Sequence, residues 1–152
     1  MQLTMTGEYA IRAMVFLSSR PFGTIVQIEE VAREWDIPET FLRKIIPRLA
    51  GAGLVLSQRG AGGGIALARR PEDATMLDVI EAVEGPMHLN RCLMSSWTCP
   101  RSAWCPVHEI WSTAQEELNR VLTARSLADI AAAAVRRHAR HDAARERQKL
   151  PP

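Results

Sequence analysis

Apolar residues recur at helical spacing through most of this chain, and the pattern turns strand-like near its middle. Leu3 and Met5 alternate with Gln2 and Thr4, which permits a short strand over residues 1–5. Thr6 then caps a helix running through Ser19, with Tyr9, Ala10, Ala13, Met14, Phe16 and Leu17 three and four apart. After the turn Arg20-Pro21-Phe22-Gly23, Ile28, Val31, Ala32 and Trp35 fall on one side of a second predicted helix, Ile25 to Trp35. Asp36-Ile37-Pro38 interrupts it, and Pro38 suits the first position of a third helix from Glu39 to about Ala52. That helix has Phe41, Leu42, Ile45, Ile46 and Leu49 as its apolar set. Pro47 lacks the N–H that would bond to the Arg43 carbonyl, so a kink or early break is expected there.

Alternation then takes over. Leu54 to Gln58 and Ile65 to Ala68 flank the loop Arg59-Gly60-Ala61-Gly62-Gly63-Gly64, which reads as a β-hairpin. Thr75-Met76-Leu77-Asp78 has the form of a capping box opening a helix through Glu84, and Gly85 stops it. A long helix is predicted from Pro106 to about Ala124, with Ile110, Trp111, Ala114, Leu118, Val121 and Leu122 in a stripe wider than one small domain needs. Such a stripe suits dimerisation, although packing within its own domain would also use it. Ser126 then caps a short helix, and from Arg136 the chain is basic and poor in large apolar residues, which predicts a frayed helix or disorder.

Two helices joined by a tight turn, the second carrying Arg43, Lys44 and Arg48, form a helix-turn-helix pattern. A hairpin directly after the second helix is a wing. The expected fold is therefore mainly α with a small β wing: a winged helix-turn-helix domain over 1–85, a cysteine-bearing loop over 86–106, a long dimerisation helix and short capping helix over 107–135, and a basic tail over 136–152. Thr40, Arg43, Lys44 and Arg48 are the candidate DNA contacts of the second helix, and Arg59, Gly62 and Gly63 those of the wing. The glycines are no phosphate-binding P-loop, because no Gly-Lys-Ser/Thr follows and no helix opens there.

Composition narrows the setting. The chain has 152 residues, 47% of them hydrophobic, enough for a buried core. No apolar run reaches the roughly 18 residues of a membrane helix, and the N-terminus lacks a signal-peptide pattern. A cytoplasmic setting is expected, where thiols stay reduced. The net charge of +2 hides an asymmetry: nine cations against six anions over 1–70, four against nine over 71–135, and six against two over 136–152. The first segment and the tail can face phosphate; the middle cannot.

All three cysteines, Cys92, Cys99 and Cys105, lie in one segment, and His108 follows the last at a two-residue gap. Three cysteines cannot all pair within one chain. Six residues separate the first pair and five the second, too many for a zinc ribbon. Such gaps suit a loop wrapped around something larger than one ion, and thiolates anchor iron–sulfur clusters. Pro100 and Pro106 each follow a cysteine and stiffen the loop; Trp97 and Trp104 would shield a bound cluster, or merely pack.

With these features in place the chain resembles the IscR/NsrR/RirA-type winged-helix regulators from residue 1 to about 135. The resemblance rests on Met1-Gln2-Leu3-Thr4 with Tyr9-Ala10, on Leu49-Ala50-Gly51-Ala52-Gly53-Leu54-Val55 with the glycine wing, and on three cysteines between two helices. It implies a homodimeric transcription factor binding promoter DNA, with a 2Fe-2S or 4Fe-4S cluster in each subunit. Cluster loss, redox change or nitric oxide would then alter DNA affinity. It also implies Cys92, Cys99 and Cys105 as ligands. Some members add a histidine beyond the third cysteine, which maps to His108; others use an acidic residue of the first helix donated by the partner subunit, and Glu8 occupies that position. The competing readings are a zinc-stabilised DNA-binding dimer and a metal-free thiol-redox regulator. An enzyme ranks below both, since no acid–base pair, nucleotide loop or nucleophile elbow is recognisable.

Overall fold

The computed structural model describes residues 3–60, 62–94 and 99–149, with side chains as far as Arg145. It is mainly helical with one two-stranded sheet. The chain opens in helix rather than strand. Thr4 is the N-cap of α1 (Met5–Ser18), its side chain accepting from the Thr6 and Gly7 amides. A hydroxyl that satisfies two amides left over at a helix start outweighs a weak two-residue alternation. Met1 and Gln2, the rest of the expected strand, lie outside the described residues.

The second helix also begins later than its pattern suggests. α2 spans Ile28–Glu34, because Val26 is extended and exchanges two backbone hydrogen bonds with Ile65 of the hairpin, each 2.8 Å. α3 (Glu39–Gly51) follows Pro38, which stands at the N-cap, and runs through Pro47 without ending. Leu42, Ile45, Ile46 and Leu49 are all buried, and that packed face outweighs the single backbone bond Pro47 removes. The expected break at Pro47 is thus corrected. Strands β1 (Val55–Gln58) and β2 (Gly64–Leu67) pair antiparallel, with Val55 opposite Leu67 and Gln58 opposite Gly64.

Thr75 caps α4 (Met76–Glu84) in a complete capping box with Asp78, and Gly85 ends it. α5 (Pro106–Thr123) carries no buried residue in the single chain. α6 runs from Leu127 to Lys149. This differs from the short helix and frayed or disordered tail read from the sequence: runs of alanine with interspersed arginine are strong helix formers and need no large apolar residues to stay helical. Ser126 and Asp129 cap its start, and the Ser126 hydroxyl and amide hold the Asp129 carboxyl below its ordinary range.

The start of α6 belongs to the same core as the winged helix. Leu127 is fully buried, joins α1, α3 and α4 side chains in the central cluster, and its amide donates to the Ala74 carbonyl at 2.7 Å. The DNA-binding body therefore closes on residues 127–131 as well as on 1–85. Truncating Leu127 to alanine should cost about 2–5 kcal/mol of stability through the lost burial and the cavity left. Urea unfolding measures this directly, and a loss below about 1 kcal/mol would mean that α6 contributes no core.

Candidate nucleic-acid interface and cysteine segment

α2 and α3 are joined by a turn in which Asp36 takes a positive φ of 50° and the buried Ile37 donates its amide to the Ala32 carbonyl at 3.0 Å. The exposed residues of α3 include Thr40, Arg43 and Lys44. Arg43 is held by two acids, Glu29 of α2 at 3.2 Å and Glu39 at 3.3 Å. Lys44 has no acidic partner among the described residues. An open groove of 450 Å³ separates α3 from the hairpin, and Arg43 and Arg59 both line it together with Gln27, Glu29, Ser57 and Gln58.

Two of the residues singled out in the sequence are used internally. Arg48 donates from Nη1 to the Val83 carbonyl at 2.6 Å, tying α3 to the last turn of α4. Gly63 is buried at the base of the wing, where its carbonyl accepts from Gln27 and its amide donates to Gly60 at 2.9 Å. A Cβ there would run into the Gln58 carbonyl oxygen. Gly63 therefore shapes the wing, while Gly62 is exposed at its tip with φ +76°. The spacing of charges along the sequence carried no sign of these partners, because Gln27 and Val83 are 36 and 35 residues from the groups they bind.

The cysteine segment sits between α4 and α5. Cys92 lies in a 3₁₀ turn over Arg91–Leu93, Cys99 starts a turn in which the Ser102 amide and hydroxyl donate to its carbonyl, and Cys105 is the N-cap of α5. All three thiols are free and half-buried. His108, in the first turn of α5, has a buried Nδ1 with no hydrogen-bond partner. A buried imidazole nitrogen left unsatisfied is costly, and with the three soft sulfurs of the same segment it makes up a donor set whose chemistry fits iron or an iron–sulfur cluster. The donors are not gathered, however: among the described residues no three Cys, His, Asp or Glu side chains are arranged to hold a metal ion. Glu8 pairs instead with Arg12, whose guanidinium stacks over Tyr9 at 5.7 Å. Trp97 lies outside the described residues, and Trp104 is 70% exposed and shields nothing within one chain.

Glu84, unremarked in the sequence, has a definite role. Its carboxylate accepts from the Thr4 hydroxyl and from the Gly7 amide at 3.0 Å, so the end of α4 is fastened to the start of α1. Gly7 permits this approach, since a Cβ there would lie 2.8 Å from the same carboxylate oxygen.

A family model described as an iron-dependent transcriptional regulator, Rrf2, matches residues 3–133. The chain belongs to the Rrf2 family. A protein named as an HTH-type transcriptional regulator of Mycobacterium tuberculosis is 32% identical over 141 residues, which cover 91% of this chain and 86% of that protein. The structure of T. potens IscR superposes with a TM-score of 0.68 at 29% identity, covering 88% of each chain. CymR of B. subtilis, described as the global cysteine regulator, superposes at 0.66 with 27% identity over 87% of this chain and 97% of that one. The chain is thus a transcriptional regulator with a winged-helix DNA-binding fold. None of the helices over the described residues is long and apolar enough to cross a membrane.

The geometry separates Arg48 from Lys44. Arg48→Gln should lower the unfolding free energy by about 1–3 kcal/mol, as loss of a hydrogen bond from a charged group does, and leave the salt dependence of DNA binding unchanged. Lys44→Gln should do the reverse, reducing the slope of log K against log salt by about one with little change in stability. Equal slope changes in the two variants would put Arg48 on phosphate after all.

Proposed function

We propose that this Rrf2 regulator is a homodimer that binds promoter DNA with an affinity set by an iron–sulfur cluster on Cys92, Cys99 and Cys105. The observation that carries the reading is the unpartnered, buried Nδ1 of His108 in the first turn of α5, three residues after the free thiol of Cys105 at the N-cap. His108 is the fourth ligand on this reading; Glu8, held by Arg12 within its own chain, would have to leave that partner to serve a neighbouring subunit. A bound cluster supplies a centre whose charge and ligation change with iron supply, oxidation or nitric oxide. Gathering the dispersed thiols would order the segment between α4 and α5, because ligand binding and local folding are coupled.

The chain's own residues then divide the work. Thr40, Arg43 and Lys44 of α3 meet the major groove, and Arg59 with Gly62 meets the backbone or minor groove. Arg43 must exchange Glu29 and Glu39 for DNA, which lowers its net contribution. α5 supplies the second subunit's docking face. Ile110 is 67% and Val121 61% exposed on a helix with nothing buried, which favours burial against another copy. A two-fold dimer places its recognition helices about 34–36 Å apart, one helical turn of DNA.

One observation favours a second reading. The thiols stand apart and free, and a fold relative is described as a cysteine regulator, so a metal-free thiol switch is the alternative.

Anaerobic purification followed by a visible spectrum and by iron and acid-labile sulfide assays decides between them. A brown protein with matched iron and sulfide, whose Cys99→Ala variant is colourless and unresponsive to oxidant, is the expected result. A colourless wild type with neither element overturns the cluster and leaves zinc or bare thiols. For the dimer, Ile110→Glu should convert the sedimenting species to a monomer, whereas an unchanged dimer would place the interface off α5.

A further inference from the structure

The winged helix itself offers DNA little free positive charge. Arg12, Arg20, Arg33 and Arg43 are each ion-paired with a carboxylate, and Arg48 is committed to a carbonyl. Through residue 85, Lys44, Arg59 and Arg70 are left without such a partner among the described residues, Arg69 being paired with Asp78 and Arg70 lying over the Phe22 ring at 5.5 Å. Binding to duplex DNA draws most of its sequence-independent strength from neutralised phosphates, so three cations are a thin supply.

The second half of α6 holds what the winged helix lacks. Arg136, Arg137, Arg140 and Arg145 are all exposed, and none has an acidic partner among the described residues. Asp142, the nearby acid, is taken by His138 at 2.9 Å and His141 at 3.6 Å. Arg136, Arg137 and Arg140 fall within about 100° of one another around the helix, away from the Leu127 and Ala131 row that packs on the body. The sequence adds Arg147 and Lys149 beyond them, against the one acid Glu146.

Position completes the case. α6 crosses α1 and passes the C-terminal end of α2, where Glu34 and Trp35 line one groove with His138, Ala139 and Asp142. From Asp142 the helix continues seven residues, about 10 Å at 1.5 Å per residue. The first helix of a helix-turn-helix crosses the DNA backbone, and Arg136, Arg137 and Arg140 lie within the 134–142 stretch of α6 that lines a groove with the end of that helix.

We propose that α6 from Arg136 onward is a second DNA site, binding backbone phosphates that flank the segment read by α3 and the wing. It is sequence-independent and enlarges the electrostatic footprint. The inference rests on the DNA-binding reading above, and the test keeps the two apart.

The full-length chain is titrated with a mixed-sequence duplex oligonucleotide at several salt concentrations. Replacing Arg136, Arg137, Arg140 and Arg145 together by glutamine, a comparable helix former, should lower the slope of log K against log salt by about 2–4 and weaken low-salt binding roughly tenfold or more. Replacing the same four by lysine should keep the wild-type slope, because lysine serves phosphate as a point charge. If the glutamine variant keeps the wild-type slope while the double variant Lys44→Gln/Arg59→Gln lowers it, the extension is no DNA site and the winged-helix reading stands. A slope that falls equally in the lysine variant also overturns the proposal, since charge would not be the cause. A wild type without affinity for the duplex overturns both.

Discussion

The last turn of α4 is where the parts of this molecule meet. Arg48 reaches it from the recognition helix and donates to the Val83 carbonyl. The next residue, Glu84, grips the first turn of α1 through the Thr4 hydroxyl and the Gly7 amide. Gly85 then ends the helix and sends the chain toward the cysteines. A helix C-terminus leaves carbonyls without partners, and a helix N-terminus leaves amides without partners. Here an arginine serves the first need and a glutamate the second, so two helix ends and a recognition helix share one small polar junction.

Around it the fold separates what must be rigid from what is left open. The core draws on α1, α3, α4, the hairpin and the first turns of α6, and it buries the apolar faces of all of them. α5 buries no residue fully: it is amphipathic, follows directly on Cys105, and leaves Val107, Ile110 and Val121 exposed in a single chain, with Trp111, Leu118 and Leu122 half-buried. An exposed apolar stripe of this length costs free energy in water, and its continuity with the cysteine segment is what makes dimer and sensor one problem in the proposed reading. The charge distribution follows the same division. Acids dominate the middle of the chain, whereas cations sit on α3, the wing and the far end of α6.

Local pattern and composition were enough to mark much of this. The 3–4 spacing of apolar residues located α1, α3, α4 and α5, alternation about a glycine loop located the hairpin, and clustered cysteines marked the segment before α5. These features are short-range, and a sequence displays short-range order directly. Boundaries set by distant partners were not displayed. Residues 25–27 read as helix until Val26 is seen bonded to Ile65, and Pro47 reads as a break until the buried face of α3 is seen to hold through it.

The candidate site divides in the same way. Its donor types, Cys92, Cys99, Cys105 and His108, and its cations Arg43, Lys44, Arg48 and Arg59 are properties of the sequence alone, since residue chemistry needs no neighbours to be stated. Which cations are free is a tertiary fact. Arg48 and Gly63 read as DNA contacts in the sequence, and in the structure each also holds a distant partner, Val83 and Gln27. Glu84 looked like an ordinary helix-end acid and became a clasp because α1 begins beside it. The sequence determined the elements and the available chemistry; the tertiary structure decided which polar groups were already spent on one another, because only packing brings residues 35 to 80 positions apart within hydrogen-bond reach.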